Sequence, residues 1–341
     1  MFKLKVFKQQ GLYLLALSFL ALVYLLAVYP PVMVQSLASA FSDGYFQWNK
    51  RKPSDQLIFI EIDHASVKAF GRWPWSRDVI AKGLQSLEEA EVGGLDMLFS
   101  EPTAVQQDQQ LADVLQGLPI IGGVFLNGPQ AKTLDEVAYG QVLHSSLTQI
   151  KNPQLIDSER AELPIALLRE AFPFLAALNI AADADQKFRH YPLAFWLQDA
   201  AFPNLGVQMW RLGRYEDLQL NGTQALLGEQ RLPVDNKTRA RLNYYPEDSW
   251  QRITFAELMQ PDWDPQRLAG RWVLVGVSEA GVTDLRATPI GQLAGPLVHL
   301  TFVANLLDNS LLTEITGGSL LITLLIIFVV LALIWQHYFL L

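Results

Sequence analysis

Several acidic residues stand where apolar runs of the sequence end, a position that open α/β sheets use for ligand binding. Asp63 directly follows one such run. Asp96 and Glu101 surround the end of a second run, and Asp284 follows a glycine-rich third. Carboxylates at one sheet edge can hold a cation or a cationic ligand, with His64 or His299 as a further ligand. The competing interpretation is that these acids cap helices and pair with arginines, which is the commoner use of such carboxylates.

The sequence contains none of the catalytic or metal-binding motifs that we sought. The five histidines are scattered, cysteine is absent, and neither an HExxH zinc motif nor a G-x-S-x-G nucleophile turn occurs. The acidic stretch 182–186 resembles half a calcium loop without its glycine and distal glutamate, so we interpret it as a β-turn. We expect no enzyme, no metal site and no cofactor. A hydrolase would require Asp63, Asp96 and Glu101 to cluster and one of their pKa values to rise.

The stretch Phe70–Asp78, FGRWPWSRD, places two tryptophans around a proline and brackets them with arginines. The candidate ligand-binding residues of this tryptophan turn are Arg72, Trp73, Trp75 and Arg77. Proline stiffens the turn, and the indoles offer large rigid surfaces that serve equally well as a lid over a ligand or as a buried plug. We expect the arginines to reach Asp63 or Asp96.

After residue 56, short apolar runs typical of strands alternate with segments whose apolar residues recur at the spacing of a helix. The predicted strands are 57–62, 92–100, 119–126 and 271–281, and the predicted helices are 77–90, 108–118, 162–172, 202–213 and 296–312. Ser76 is expected to cap the first helix, and residues 127–163 are interpreted as a long irregular insertion. Alternating strands and helices predict an α/β fold with a mainly parallel sheet flanked by helices.

Two uncharged apolar runs, 11–29 and 315–335, are each long enough to cross a bilayer. Three lysines within residues 1–10 place that end in the cytoplasm by the positive-inside rule, so residues 41–313 form an extracytoplasmic domain. The basic run Lys50–Lys52 argues mildly against this orientation. The alternative of a cleaved signal ending near residue 40 is disfavoured by the length of the first apolar run.

We expect the remaining residues, 336–341, to be a short cytoplasmic tail, which leaves no room for a signalling output domain. Either the output domain belongs to a separate protein, or the sequence is a fragment. Half of the residues are hydrophobic, and the formal net charge is −8. A mixed membrane and extramembrane protein fits this composition. A nucleic-acid partner is excluded because it would require a clustered basic surface.

The block 59–102 resembles the opening of the type-two CHASE domain, with a strand that ends in Ile-Asp and a Gly-x-Trp-Pro-Trp-x-Arg turn. Residues 178–195 are similar to the family's middle block, and residues 272–307 to its final block with Asp284 and His299. Gln186 stands where the family usually has glycine. The resemblance implies an extracytoplasmic sensor module of bacterial receptors, here in the inner membrane as a multi-pass protein.

From the resemblance we expect a sensory protein that detects a ligand or an envelope condition and relays it through the bilayer to a separate partner protein. A homodimer is compatible with this arrangement. Gly317 and Gly318, at the start of the second apolar run, are expected to act as a hinge for signal coupling. The alternative function is an inner-membrane scaffold or assembly factor that binds a partner protein through the same fold.

Overall fold

The computed structural model describes residues 18–25, 42–48, 50–151, 153–279, 281, 285–313, 323 and 325–330. Two units are distinguished, residues 1–45 with 314–341 and residues 46–313. In the first unit, residues 18–25 and 325–330 are helical with mostly exposed side chains. Among the described residues, no helix combines the length and apolar character needed to cross a membrane.

The described residues of the second unit form eight α-helices and two short 3₁₀-helices, and a third 3₁₀-helix begins at Tyr45 in the first unit. The α-helices are α1 (His64–Phe70), α2 (Arg77–Gln85), α3 (Val105–Leu115), α4 (Glu136–Ser145), α5 (Ala166–Ala171), α6 (Leu205–Arg214), α7 (Phe255–Leu258) and α8 (Gly295–Leu307). The 3₁₀-helices are Tyr45–Gln47, which straddles the two units, Glu247–Ser249 and Pro265–Leu268.

Eighteen strands complete the described part of the unit. They are β1 (Leu57–Ile62), β2 (Val92–Asp96), β3 (Ile120–Leu126), β4 (Ile150–Lys151), β5 (Ile156–Ser158), β6 (Ala161–Glu162), β7 (Leu175–Ala177), β8 (His190–Pro192), β9 (Ala194–Leu197), β10 (Ala200–Pro203), β11 (Leu218–Asn221), β12 (Gln224–Leu227), β13 (Gln230–Leu232), β14 (Arg239–Arg241), β15 (Arg252–Thr254), β16 (Trp272–Val277), β17 (Leu285–Thr288) and β18 (Gly291–Ala294).

The main sheet has seven strands in the order β15-β1-β16-β2-β3-β6, with β7 also paired to β3. All of its pairs are parallel except β3 with β6, which confirms the predicted mainly parallel sheet. Strand β16, from the end of the domain, lies between β1 and β2 from its beginning. The remaining strands form four smaller sheets.

Both faces of the main sheet are covered. Along β1, Leu57 and Phe59 point into one core, while Ile58, Ile60 and Ile62 point into the other, as the two-residue period of a strand requires. Helices α6 and α8 pack on the first face, and α2, α3, α5 and α7 pack on the second. Parallel strands buried on both faces explain why their sequences read as continuous apolar runs.

A glycine in β16 lets α8 begin close to the sheet. A Cβ atom at Gly276 would lie 2.4 Å from Cγ of Pro296, the second residue of α8. The same position would place it 3.5 Å from Cβ of Asp96. The absence of a side chain here therefore brings the start of α8 against the end of β16 and β2.

The structure corrects three local predictions. The helix predicted for 77–90 ends at Gln85, and Ser76 occupies its N-cap position without a side-chain hydrogen bond. The region 127–163, predicted to be irregular, contains α4 and three short strands. The helix predicted for 202–213 is α6, which begins only at Leu205: Asn204 caps it by accepting from the Leu205 amide at 2.8 Å, and Pro203 ends the preceding strand.

Candidate functional site

The carboxyl ends of three adjacent strands bring the predicted acidic residues to one edge of the main sheet. Asp63 follows β1, Asp96 ends β2, and β16 lies between them with Gly276 paired to Asp96. Glu101 lies five positions beyond Asp96 and is exposed. The predicted residue Asp284 lies outside the described residues, as do Gly317 and Gly318.

Asp63 acts as a helix cap. Its Oδ1 accepts hydrogen bonds from the backbone amide of Ser66 at 2.9 Å and from the Ser66 hydroxyl at 2.7 Å, which satisfies the first turn of α1. The Ser66 hydroxyl oxygen in turn accepts from the amide of Ala256 at 3.1 Å. The Asp63 carboxylate therefore ties α1 to α7, the capping alternative considered from the sequence.

The two tryptophans of the tryptophan turn have different environments. Trp75 is 6% exposed, and its Nε1 donates to the Gly71 carbonyl at 2.8 Å. Its ring lies 5.2 Å from that of Phe255 and edge-on to that of Phe70 at the same distance. Trp73 is half-buried and stands edge-on to Trp75, and the Trp73–Pro74 peptide bond is cis. Trp75 is thus a structural plug, while Trp73 keeps an accessible surface.

Arg77 does not pair with Asp63 or Asp96 as expected from the sequence. Its Nε lies 3.5 Å from Oδ1 of Asp108, its Nη2 donates to the Glu101 carbonyl at 3.1 Å, and its guanidinium stacks 4.5 Å from the Phe99 ring centroid. Burial lowers the pKa of Arg77, and the neighbouring charge of Asp108 opposes that shift. The interaction fixes the chain that follows β2 against α2 and α3.

Asp108, which sequence reasoning missed, supports this contact from the first turn of α3. It is 4% exposed and accepts hydrogen bonds from the amide of Thr103 at 2.8 Å and from its hydroxyl at 2.7 Å. No periodic pattern links a helical aspartate to an arginine on the preceding helix. Its place at the start of an amphipathic helix, five residues after a threonine, is the only local signal.

His299 lies in the opposite core, on α8. It is fully buried, and its Nδ1 is hydrogen-bonded to the Tyr191 hydroxyl at 2.6 Å. The same hydroxyl oxygen accepts from the amide of Gly206 in the first turn of α6 at 2.9 Å. Burial lowers the pKa of His299 to about 3, so the imidazole is neutral at physiological pH. The pair therefore links α8 to α6.

Tyr191 also connects this core with the acidic sheet edge. Burial raises the pKa of Tyr191 well above the ordinary value of a tyrosine, and the nearby negative charge of Asp96 adds to the rise. The ring stacks on that of Phe302 with centroids 4.3 Å apart. Tyr191 was not selected from the sequence, because it sits in a short apolar strand that reads as ordinary core.

The predicted site residues thus fall into two groups on opposite faces of the sheet, with Trp75 and Arg77 on one and His299 on the other. Across the described part of the chain, no three acidic or histidine side chains come together as a metal site. A surface concavity of about 770 Å³ lies between α2 and α3, but its described lining includes none of the predicted residues. Within the tryptophan turn Arg72 is exposed and Trp73 is half-buried, and Glu101, after β2, is exposed.

The acidic stretch 182–186 is a β-turn, as predicted. The Gln186 amide donates to the Asp183 carbonyl at 2.9 Å, and Gln186 has a φ of 65°. The Asp185 carboxylate accepts hydrogen bonds from Nη1 and Nη2 of Arg189 at 2.8 and 2.9 Å, and these hydrogen bonds lower the pKa of Asp185. The acids of this turn are therefore engaged by neighbouring arginines.

Comparison with known proteins identifies one family. The CHASE2 domain family matches the chain over residues 16–334, nearly its whole length. Neither the curated proteins nor the solved structures that were compared give a match. The opening strand, the tryptophan turn and the final block with His299, from which the resemblance was read, all lie within the matched range. The chain therefore belongs to the CHASE2 family of sensor domains.

Proposed function

We propose that the protein is a membrane-anchored extracytoplasmic sensor that detects a ligand or an envelope condition and relays it across the bacterial inner membrane to a separate output protein. The family match over residues 16–334 carries this proposal. The uncharged runs 11–29 and 315–335 support anchoring on both sides of the α/β domain, since each has the length of a membrane span.

The proposed ligand surface is the accessible part of the sheet edge at the tryptophan turn. Arg72 and Glu101 are exposed and Trp73 is half-buried, so these side chains can contact a ligand directly. Trp75 and Arg77 are buried and would act by holding the turn in place. A ligand with both charged and flat apolar parts matches this combination of guanidinium, carboxylate and indole.

Helix α8 is the proposed element for relay. Twelve of its residues are buried, and it is the last helix before the second apolar run. Through His299 and Tyr191 it is hydrogen-bonded to the start of α6. A change of charge at the sheet edge near Asp96 would act on Tyr191, whose pKa responds to that charge, and through the hydrogen bonds of Tyr191 on α8 and α6.

Thermal unfolding of the full chain in nanodiscs, with divalent cations and small envelope metabolites added one at a time, tests ligand detection. A ligand that binds only the folded state raises the melting temperature. We expect Arg72→Ala and Trp73→Ala to abolish the rise while leaving the melting temperature without ligand nearly unchanged. Tyr215→Ala, which removes an aromatic side chain that is 90% exposed, is the matched control and should keep the rise.

Topology is tested separately, because the chain contains no cysteine and a single one can be introduced. A Ser54→Cys variant should react in intact cells, after outer-membrane permeabilisation, with a maleimide that does not cross the inner membrane. Reaction only after lysis of the inner membrane would place the domain in the cytoplasm and contradict the proposal.

A further inference from the structure

We propose that the segment Trp48–Lys52 docks on an anionic lipid surface and so fixes the orientation of the domain on the bilayer. The inference rests on the proposed membrane anchoring and adds a specific contact to it. It also gives a function to the basic residues Lys50 and Lys52, which the positive-inside rule leaves unexplained on the outer side.

The segment is held to the domain on both sides of Trp48. On one side, Phe46 is 7% exposed and packs edge-on against Tyr244 with ring centroids 6.1 Å apart. On the other, Nη2 of Arg51 lies 3.5 Å from Oδ2 of Asp308, and its guanidinium stands 5.0 Å from the Tyr245 ring centroid. Phe46 and Arg51, which flank Trp48 in the sequence, are therefore both fixed to the domain.

A second hydrogen bond holds Asp308, the partner of Arg51, in place. Tyr245 donates its hydroxyl to the same Oδ2 of Asp308 at 2.6 Å. Burial raises the pKa of Tyr245 to about 12, so the hydroxyl stays protonated and keeps donating. Asp308 thus receives two donors, and the one arginine of the basic run is directed toward the protein.

The other large side chains of the segment point outward. Trp48 is 83% exposed, and Lys50 and Lys52 are exposed. A tryptophan with an apolar ring and a polar N–H is suited to the headgroup level of a bilayer, where aromatic residues are enriched. Lysines are attracted to anionic headgroups within about one Debye length, and this patch is basic although the chain carries a net charge of −8.

The segment lies at the end of the domain from which the chain leaves for the second apolar run. Asp308 directly follows α8, and the amide of Leu312 donates to the Arg241 carbonyl at 3.0 Å. Only two residues separate Leu312 from residue 315, where that run begins, so the three Cα–Cα steps between them span at most about 11 Å. A bilayer entered at residue 315 therefore lies close to the end of the domain that presents Trp48, which favours lipid as the occupant.

The test uses the cysteine-free full chain in vesicles, with an environment-sensitive fluorophore on Trp48→Cys and, as control, on Tyr215→Cys. The vesicles contain phosphatidylcholine with or without phosphatidylglycerol, together with a shallow spin-labelled lipid as quencher. We expect quenching at position 48 but not at position 215, and stronger quenching when phosphatidylglycerol is present.

A second probe keeps the tryptophan in place, with the fluorophore on Gln47→Cys. Replacing Lys50 and Lys52 by glutamine should lower the ratio of docked to undocked segment about fivefold per lysine, the factor expected for one basic residue near an anionic surface. The double variant Lys82→Gln and Lys132→Gln removes two exposed lysines elsewhere and should leave the ratio unchanged.

Equal quenching in neutral and anionic vesicles, or quenching at position 48 no greater than at position 215, would overturn the proposal. Protection of the probe from aqueous iodide without quenching by lipid would assign the surface to a second copy or another protein, and would also overturn it. Flotation separates failure of the docking proposal from failure of the proposed membrane anchoring. A chain that does not float with the vesicles is not anchored, whereas a chain that floats without quenching at position 48 is anchored but not docked.

Discussion

At the scale of single residues, the buried ion pair between Arg77 and Asp108 is the contact that most directly supports the tryptophan turn. The side chains of both residues are nearly inaccessible, with relative exposures of 11% and 6%. Removing one partner of a buried pair leaves the other charge without compensation, which is more harmful than replacing both. The turn and the chain after β2 therefore depend on an ion pair that is almost inaccessible to solvent.

We predict that Arg77→Met lowers the free energy of unfolding by about 3 kcal/mol, since Asp108 stays buried without its cation. Denaturant unfolding followed by tryptophan fluorescence measures the change. The exposed Arg72→Met change is the matched control and should alter stability by less than about 0.5 kcal/mol. Equal effects of the two substitutions would show that the buried pair does not stabilise the turn.

His299 makes stability depend on pH in a defined direction. Its pKa of about 3 in the folded protein lies below the ordinary value of 6.5, so only the unfolded chain gains a proton as the pH falls through 6.5. The stabilising contribution is thus complete above pH 6.5 and is lost progressively toward pH 3. Between pH 7 and pH 5 we expect a loss of about 2 kcal/mol from this group.

Urea unfolding at the two pH values measures this loss. His299→Gln should remove most of the difference between them, whatever its effect on stability at pH 7. His144→Gln, at an exposed histidine, should leave the difference intact. An unchanged pH dependence in His299→Gln would mean that other groups cause it.

At the scale of elements, long apolar runs were predictable from the sequence and their partners were not. The run 57–62 is observed as β1 with the predicted bounds, because alternating burial on two faces requires an uninterrupted apolar strand. The end of α2 at Gln85 was missed, since the apolar period continues to Leu87 while the backbone turns. The short strands within 127–163 depend on pairing with distant segments, which no local pattern encodes.

The candidate site follows the same division. Asp63 and Asp96 lie at one sheet edge as predicted, because the carboxyl ends of parallel strands share an edge whatever the order of the strands. Which atoms each side chain contacts depends on three-dimensional packing. The partner of Arg77 and the burial of His299 against Tyr191 therefore became visible only in the folded structure.

The turn after β7 offers a test at this scale. Gln186 adopts a left-handed φ of 65°, which costs a residue with a side chain roughly 1 kcal/mol relative to glycine. We predict that Gln186→Gly is neutral or raises the free energy of unfolding by up to about 1 kcal/mol, offset in part by the greater entropy of the unfolded chain. Gln224→Gly, in strand β12, should instead destabilise by roughly 0.5–1 kcal/mol. Destabilisation by both would refute this reading of the turn.

At the scale of the whole molecule, the proposed sensor must pass a change in the domain to the membrane. The hinge proposed at Gly317 and Gly318 is tested by replacing both with alanine, which reduces backbone freedom at that point. Once a ligand is known from the thermal screen, we expect its affinity to be unchanged in this variant. The ligand-dependent change in the labelling rate of a cysteine at position 336 should differ from that of the parent chain, and an identical change would remove the hinge.

The position of β16 has a consequence for how the domain is made. Its residues, 272–277, fill the gap between β1 and β2, so the first two strands have no common neighbour until nearly the whole domain has been synthesised. While the chain is made, the edges of β1 and β2 that face β16 stay unpaired as more than two hundred residues follow β1. Such long-range closure slows folding and leaves the nascent chain open to aggregation. The chain is therefore most exposed to aggregation before β16, the strand between β1 and β2, has been made.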